Sequence, residues 1–423
     1  MAKKMLFLFV LLLSLTGMLK AQVTTAGMSG KVVADEEAVI GATVVAVHEP
    51  SGTSYGTVTN IDGRFSLQGM RSGGPYKVTV SYVGYQTAIY TGIQLQLGET
   101  YSLNVTLHEA SELLGEITIT ASKSKFSAEK TGATTNISSE QLTTLPSINR
   151  SISDFTRISP YASGNNFGGR DGRSNTFTVD GANLNNNFGL SSNLPGGGNP
   201  ISLDAIDEVQ VVIAPYDVRQ ANFIGAGINA ITKSGTNAYR GSAYMYFNNE
   251  VMRGNKIGNT DFGARAEESK TVYGATLGGP IIKDKLFFFA NVEYEKSPQQ
   301  VVKWRAAQEG ETPNNSTISR ATAADMVEFS QILKDKYGYD TGSFTNFPAD
   351  ITNLKLLGRI DWNIDKGNKL SVRYNFTNNK TWNAPNGSSG NTGYRLAYDR
   401  VSQYSMSYAN SCYSLQNIVN SVT

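Results

Sequence analysis

The sequence predicts a mainly β protein with three parts: a small β-sandwich, an α/β unit, and the first strands of an incomplete transmembrane β-barrel. Early in the chain, short β-branched runs alternate with turn signals. A middle segment mixes two short helical patterns with strands. After residue 238, segments of about ten residues alternate apolar and polar side chains, as membrane barrel strands do. The composition, with 42 Gly, 21 Tyr and 18 Phe, agrees with a β-rich chain.

Charge and targeting signals narrow the class of protein. The 37 Lys+Arg and 35 Asp+Glu leave a net charge of +2, so no basic surface for nucleic acid is expected. Lys3 and Lys4 precede an apolar run, and Ala21 offers a cleavage position, which predicts a secretory signal peptide over residues 1–21. A membrane anchor is the alternative, but the run is short for a spanning helix. Cys412 is the only cysteine, so no internal disulfide is possible.

Residues 28–108 predict a sandwich of about seven short strands. Within it, Asp62-Gly63 is interpreted as a tight turn, because the alternate carboxylates of a calcium loop are missing. The segment resembles the carboxypeptidase-regulatory-like, transthyretin-like domain, which is not an enzyme. The resemblance is carried by four motifs, at 30–33, 40–44, 57–67 and 80–85.

A linker over residues 109–125 contains an alternating stretch with an acidic start, and this stretch resembles the TonB box. Such a peptide adds as a strand to a sheet edge of a periplasmic energiser protein, where main-chain hydrogen bonds supply the affinity. The alternative is an ordinary exposed strand, which has the same pattern. The predicted energy-coupling residues are Glu116, Ile117, Thr118, Ile119, Thr120 and Ala121.

Residues 126–235 are predicted to form the α/β unit. Two helices are expected, over Ser138–Leu145 and Asn149–Ile158. A Val-Asp-Gly turn at 179–181, an alternating strand at 206–212 and a Gly-rich run at 225–235 follow in that order. This ordered set resembles the plug domain of TonB-dependent receptors, and the run from Ala214 to Gln220 resembles the Oar-like subgroup. A phosphate loop is the alternative for the Gly-rich run, but the required Lys-Ser/Thr pair and helix do not follow.

The plug resemblance implies a set of polar side chains that face the vestibule and the ligand. The competing interpretation is that the asparagines only cap turns. These candidates are Arg170, Asp171, Arg173, Asn183, Asn185 and Asn186.

Residues 236–423 predict about six barrel strands, with short and long connections in strict alternation. A soluble sandwich shows similar alternation and remains the competing fold. Leu357 breaks the pattern of its strand, and a helix capped by Thr322 is expected over Thr322–Tyr337. Since plugged transporters need about 22 strands, the chain is expected to be truncated or a fragment. The strands are predicted at 239–247, 271–277, 286–295, 354–364, 368–378 and 403–409.

The resemblance implies a receptor-transporter of the outer membrane that imports a ligand without chemistry, with its N-terminal domain and plug on the periplasmic side. A non-transporting adhesin or structural protein is the alternative. An enzyme is not expected, because His48 and His108 lack a nucleophile triad or a metal-ligand cluster. No catalytic residue, metal or cofactor is predicted. The expected partners are a TonB-type energiser protein, outer-membrane lipids and an unidentified extracellular ligand, with no nucleic acid.

Overall fold

The computed structural model describes most of the chain after the predicted signal peptide. The predicted signal peptide, Glu116, Ala121 and Asn186 lie outside the described residues. No helix in the described part is long and apolar enough to cross a membrane. The described residues are 23–109, 117–120, 133–147, 150–185, 199–215, 217, 220–261, 268–300, 305–312, 318–342, 348–365, 368–382 and 406–416.

Two sheets pack face to face in the N-terminal sandwich. Their strands are β1 (Ala26–Ala34), β2 (Glu37–Ala38), β3 (Thr43–His48), β4 (Thr53–Val58), β5 (Arg64–Met70), β6 (Gly73–Ser81), β7 (Ala88–Leu95), β8 (Thr100–Ser102), β9 (Val105–Leu107) and β10 (Ile117–Thr120). One sheet has the order β2-β1-β5, with β8 and β9 also on β1. The other has the order β10-β7-β6-β3-β4. In β3, Val44 and Ala46 point into a shared core with Tyr76 and Val80, because side chains alternate between faces along a strand.

A second unit follows, with two short helices and a mixed sheet. Its elements are β11 (Ala133–Ser138), α1 (Ser139–Thr144), α2 (Ile152–Thr156), β12 (Ala162–Ser163), β13 (Asn166–Phe167), β14 (Thr176–Val179), β15 (Ala182–Asn183), β16 (Ile206–Ala214) and β17 (Gly227–Thr232). The main sheet has the order β11-β16-β17-β14-β15. We call residues 133–235 the central unit.

Helix α2 is shorter than the sequence predicted. Residues Asn149–Ile158 were expected to be helical, but α2 begins only at Ile152. Arg150 has a φ of 52°, which is outside the helical region. Ser151 then caps the helix: its side chain accepts from Ser153 N, and its own N–H donates to Asp154. Helix α1 starts after the Ser138 cap and stops before Leu145, close to the predicted bounds.

In the rest of the described chain, six strands form an antiparallel sheet of the order β18-β21-β22-β25-β26-β27, and two short strand pairs and a helix lie in its connections. Strands form at five of the six predicted segments and at 406–409 of the sixth, whose residues 403–405 lie outside the described residues. The strands extend beyond the parts where the alternation is clear. The elements are β18 (Arg240–Asn249), β19 (Lys256–Ile257), β20 (Thr260–Asp261), β21 (Ser269–Ile282), β22 (Leu286–Gln300), β23 (Arg305–Ala307), β24 (Ile318–Thr322), α3 (Ala323–Tyr337), β25 (Pro348–Asn363), β26 (Lys369–Trp382) and β27 (Met406–Gln416). Thr322 caps α3 with a reciprocal bond to Asp325, as the sequence predicted.

The faces of this sheet are inverted relative to a soluble protein. Val292, Tyr294 and Trp362 are 40–44% exposed, whereas their polar neighbours Glu293 and Asp361 are 4% and 8% exposed. This arrangement is typical of a membrane barrel wall, with apolar side chains outward and polar ones inward. We call the six-stranded sheet the barrel wall.

The surroundings of Leu357 explain why it departs from the alternation. It points to the inner side with Lys355 and Arg359 and is 4% exposed. There it joins Phe289 of β22 in the apolar core of the central unit. An apolar residue is favoured at this inward position because the central unit excludes water from it.

Replacing Val292 by arginine tests the outward assignment. A charge on the lipid face of a barrel costs about 2–4 kcal/mol near the bilayer midplane. We expect Val292→Arg to lower the fraction of chain that resists urea extraction from phospholipid vesicles. Val292→Leu is the matched control and should behave as the parent chain does. Equal retention of both variants would contradict a lipid-facing Val292.

Candidate functional site

The β14–β15 turn of the central unit presents a buried carboxylate, that of Asp180. Asp180 has a φ of 49° and is followed by Gly181, so the chain reverses within two residues. Thr232, at the end of β17, fixes the carboxylate: its N–H donates to Oδ1 at 3.0 Å and its Oγ1 to Oδ2 at 2.7 Å. Asp180 is only 2% exposed. The turn therefore holds one negative charge in a set direction.

Two arginines of the barrel wall meet this turn. Arg359 of β25 and Arg373 of β26 are register partners and point inward. Arg373 Nε lies 3.5 Å from Asp180 Oδ2, and Arg359 Nη1 lies 4.0 Å from Oδ1. Arg359 Nη1 also donates to the carbonyl of Thr232 at 2.6 Å. Like charges directly opposite each other in a sheet repel, so the Asp180 carboxylate offsets a repulsion within the wall.

Asp361 provides the second compensating carboxylate. It lies on β25 and accepts from Arg359 Nε at 3.0 and 2.8 Å, and from Ser371 Oγ at 2.5 Å. Arg71 of the sandwich reaches the same carboxylate at 3.4 Å and also donates to Ser234 of the central unit. We call Arg71, Asp180, Arg359, Asp361 and Arg373 the arginine cluster. Its members come from all three parts of the chain.

A second charged group ties the central unit to the wall nearby. Glu293 of β22 is paired with Lys355 of β25 at 2.8 Å, with side-chain exposures of 5% and 3%. Ser202 of the central unit donates to Glu293 at 2.8 Å, and Tyr244 of β18 does so at 2.9 Å. The carboxylate is therefore hydrogen-bonded by both the wall and the central unit. A buried charge needs such partners to be stable.

Arg150 extends this second group. Its guanidinium pairs with Asp204 and lies 3.9 Å from the ring centroid of Tyr246, in the range of a cation–π contact. Arg150, whose left-handed backbone precedes the start of α2, is thus also a residue whose side chain contacts the wall. The two charged groups form the ionic part of the interface between the central unit and the barrel wall.

One end of the sandwich is bonded to the wall and to the segment that leads into its first strand. Asn363 Nδ2 donates to Thr53 Oγ1 at 3.0 Å, and Asn237 N donates to the carbonyl of Pro50 at 2.8 Å. Lys369 Nζ lies 3.3 Å from the ring centroid of Tyr55. Asn363 and Lys369 flank the short β25–β26 turn, and Asn237 is hydrogen-bonded to Asp284 in the short β21–β22 turn. The sandwich therefore lies at the end of the wall that carries short turns.

Glu208 of β16 joins the sandwich to the central unit. The N–H of Leu97 donates to both of its carboxylate oxygens at 3.1 Å. Burial raises the pKa of Glu208 to about 8, although the Leu97 hydrogen bond favours the ionised form. Asp207 and Glu99, both acidic, raise the pKa further. Glu208 therefore holds a proton over much of the range below pH 8.

The ligand candidates from the sequence lie apart from this interface. Asp171 pairs with Arg173 at 2.9 Å in an exposed contact, and Arg170 is exposed. Asn183 Oδ1 accepts from Asn185 N at 2.8 Å, and Asn185 Oδ1 accepts from Phe177 N at 2.6 Å. Both asparagines thus make the turn-capping bonds that the alternative interpretation expected. Their role toward a ligand stays a prediction.

The predicted coupling residues are described only in part. Residues 117–120 form β10, which pairs in parallel with β7 of the sandwich. An extended strand was expected here, but its place in the sandwich sheet was not. Sequence reasoning also missed Asp180, Arg359 and Arg373 as a group. Their only signals were the Val-Asp-Gly turn and inward polar positions in the wall, which do not identify partners.

Removing the Asp180 charge tests the arginine cluster. We expect Asp180→Asn to destabilise the central unit by about 3–5 kcal/mol, since two buried arginines lose a partner. Asp171→Asn removes an exposed carboxylate of the same unit and should have a small effect. Pulse proteolysis of the detergent-solubilised chain over a urea series measures both. Equal stabilities for the two variants would show that the cluster does not hold the unit.

The Glu208 pKa predicts a pH dependence of known sign. Because the folded-state pKa is raised from its ordinary value of 4.5 to about 8, the stabilisation is complete below about pH 4.5 and is lost as the pH rises toward 8. Glu208→Gln keeps an acceptor for Leu97 but does not titrate. Melting temperatures of both proteins from pH 5 to 8 should therefore diverge, with the parent losing more. If the melting temperatures of both proteins changed equally with pH, this result would contradict the raised pKa of Glu208.

Comparison with known proteins gives two family matches. The carboxypeptidase regulatory-like domain matches residues 27–108, and an outer membrane beta barrel domain matches residues 231–422. The TonB-dependent transporter Oar of Myxococcus xanthus is 25% identical over 347 residues, covering 77% of this chain and 30% of Oar. The chain thus spans about 30% of the length of this curated relative.

Solved structures also show partial likeness. The siderophore receptor PirA of Acinetobacter baumannii matches 60% of this chain and 32% of its own, with a TM-score of 0.40 and 18% identity. A mutant of the ferric enterobactin receptor PfeA of Pseudomonas aeruginosa matches 66% of this chain and 36% of its own, with a TM-score of 0.40 and 14% identity. The two domains and the similarity to Oar support a TonB-dependent receptor of the outer membrane.

Proposed function

We propose that this chain contributes the plug and the first wall strands of an energised importer. In this proposal residues 28–108 are an accessory sandwich, 109–125 a linker with the coupling strand, 126–235 the plug, and 236–423 part of the barrel. The observation that carries it is the contact of Asp180 with Arg359 and Arg373, which seats the central unit against the polar inner face of the wall. Oar, the similar protein, is named a transporter.

The polar character of this interface suits a plug that moves. Ion pairs and hydroxyl bonds, such as Thr377 Oγ1 to the carbonyl of Pro200 at 2.7 Å, make much of the contact. Water can replace such bonds when the surfaces separate. Separation of an apolar contact would instead expose apolar surface to the aqueous lumen. Separation of the wall from the central unit would therefore expose mainly polar groups, with Leu357 and Phe289 as the apolar exceptions.

A path for force runs from the coupling strand to the arginine cluster. After β10, the chain reaches β11, which pairs with β16. Strand β16 pairs with β17, and β17 ends at Thr232, which holds the Asp180 carboxylate. A pull on the predicted coupling residues, Glu116 to Ala121, would reach β11 once β10 is free of β7. Distortion along this sheet would then loosen Asp180 from the wall arginines.

The connections in the wall support a periplasmic position for the sandwich. The turns between β21 and β22 and between β25 and β26 are short, and short turns are periplasmic in outer-membrane barrels. The sandwich contacts the wall at these turns, through Asn363 and Asn237. We therefore place the sandwich and the coupling strand in the periplasm. The extracellular ligand would meet the opposite loops and the exposed plug residues Arg170, Asp171 and Arg173.

The coupling role is tested with a single backbone donor. Energiser binding by strand addition needs main-chain N–H groups, so Ile119→Pro should weaken binding of the purified periplasmic domain of the host's TonB-type protein at least tenfold. Ile119→Val keeps the donor and is the matched control. Interferometry on the detergent-solubilised chain gives both affinities. Unchanged binding by the proline variant would reject residues 116–121 as the coupling strand.

A transport role is separated from the adhesin alternative by its energy dependence. Cells with and without the intact receptor would be compared by mass spectrometry of solutes depleted from the medium. We expect at least one solute to be depleted only with the receptor, and a protonophore to abolish that depletion. Depletion that persists with the protonophore, or ligand that stays on the cell surface, would favour a non-transporting binding protein.

A further inference from the structure

The predicted coupling strand is bound within the sandwich. Strand β10 lies parallel to β7, in the register Ile117 with Ala88 through Thr120 with Thr91. It forms one margin of its sheet, and β4 forms the other. If β10 left, β7 would become the margin, with unpaired main-chain groups over residues 88–91. The sandwich thus supplies the kind of sheet edge that a strand-adding partner would supply.

This edge is part of a body that is fixed to the plug and the wall. Leu97, two residues after the end of β7, donates to Glu208 of the plug. Arg71 pairs with Asp361 of the wall and donates to Ser234 of the plug. A pull on β10 while it is paired with β7 therefore passes into the sandwich and the wall. Only a released β10 would deliver the pull to β11.

We propose that the β7 edge of the sandwich is a storage site for the coupling strand, and that the energiser protein must displace β10 from it. This inference rests on the coupling role proposed above for residues 116–121. It gives the sandwich a regulatory role, because the plug is isolated from force while β10 is stored. Strand pairing over only four residues suits a contact that a competing sheet edge can replace.

A disulfide across the two strands tests the storage site. Ile89 and Thr118 are register partners, and adjacent strands lie about 4.8 Å apart, within the Cα separation that a disulfide accepts. The pair Ile89→Cys with Thr118→Cys would be made in the whole chain, with Cys412→Ser to remove its only natural cysteine. The matched control is Thr57→Cys with Thr118→Cys, since Thr57 lies on β4 at the opposite margin of the same sheet.

Oxidation should link the first pair and not the control. Cleavage after glutamate separates the two positions, because Glu99 and Glu109 lie between them, so mass spectrometry detects the linked peptides. We expect the oxidised protein to bind the periplasmic domain of the TonB-type protein at least tenfold more weakly than the reduced protein. Reduction should restore binding, and the affinity of the control variant should be the same before and after oxidation.

The outcomes separate storage from coupling. If the first pair does not cross-link, or if the cross-linked protein binds as well as the reduced one, the storage site is wrong and the coupling role stands. If neither the reduced variant nor the parent chain binds, both proposals fail. Hydrogen exchange of the unmodified chain gives a second measurement: saturating TonB domain should speed exchange at residues 88–91 but not in β4. Unchanged exchange at 88–91 would overturn displacement.

Discussion

The arrangement of the whole molecule depends on how two neighbouring arginines are neutralised. Arg359 and Arg373 face each other on adjacent wall strands, and within one sheet their charges would repel. Asp361 of the same wall balances one of them, and Asp180 of the central unit balances the other. Thr232 orients the Asp180 carboxylate through two hydrogen bonds. The wall and the central unit are therefore electrostatically incomplete without each other, which explains why the central unit sits where it does.

The same logic of shared polar groups joins the sandwich to the rest. Arg71 approaches the Asp361 carboxylate that already serves Arg359, and Glu208 accepts the Leu97 N–H while its burial favours the protonated form. Neither contact is a large apolar surface. Interfaces of this kind are specific because each buried polar group needs its partner, and they separate at a moderate cost when water can enter. Such a chain of units is suited to carrying force in steps.

Local signals in the sequence predicted much of the fold, and pairings across the chain explain the rest. The alternation in the wall, the Thr322 cap and the sandwich turns each depend on neighbouring residues, so they are readable from the sequence. Helix α2 was predicted too long because the left-handed Arg150 is imposed by contacts with Asp204 and Tyr246, which are distant in sequence. Leu357 breaks the alternation because its neighbours, Phe289 and the core of the central unit, are distant in sequence. Asp180 and Arg373, separated by 193 positions, carry no sequence pattern that links them.

The pairing of β10 with β7 also affects how copies of the protein can associate with one another. An unpaired sheet margin is a template for any extended peptide, including the same margin of another molecule, and it is a common origin of domain swapping and aggregation. With β10 in place, the main-chain groups of residues 88–91 are occupied. If β10 leaves to bind a partner, as we propose, this edge is uncovered. The time that β10 spends away then sets how long each molecule is exposed to self-association.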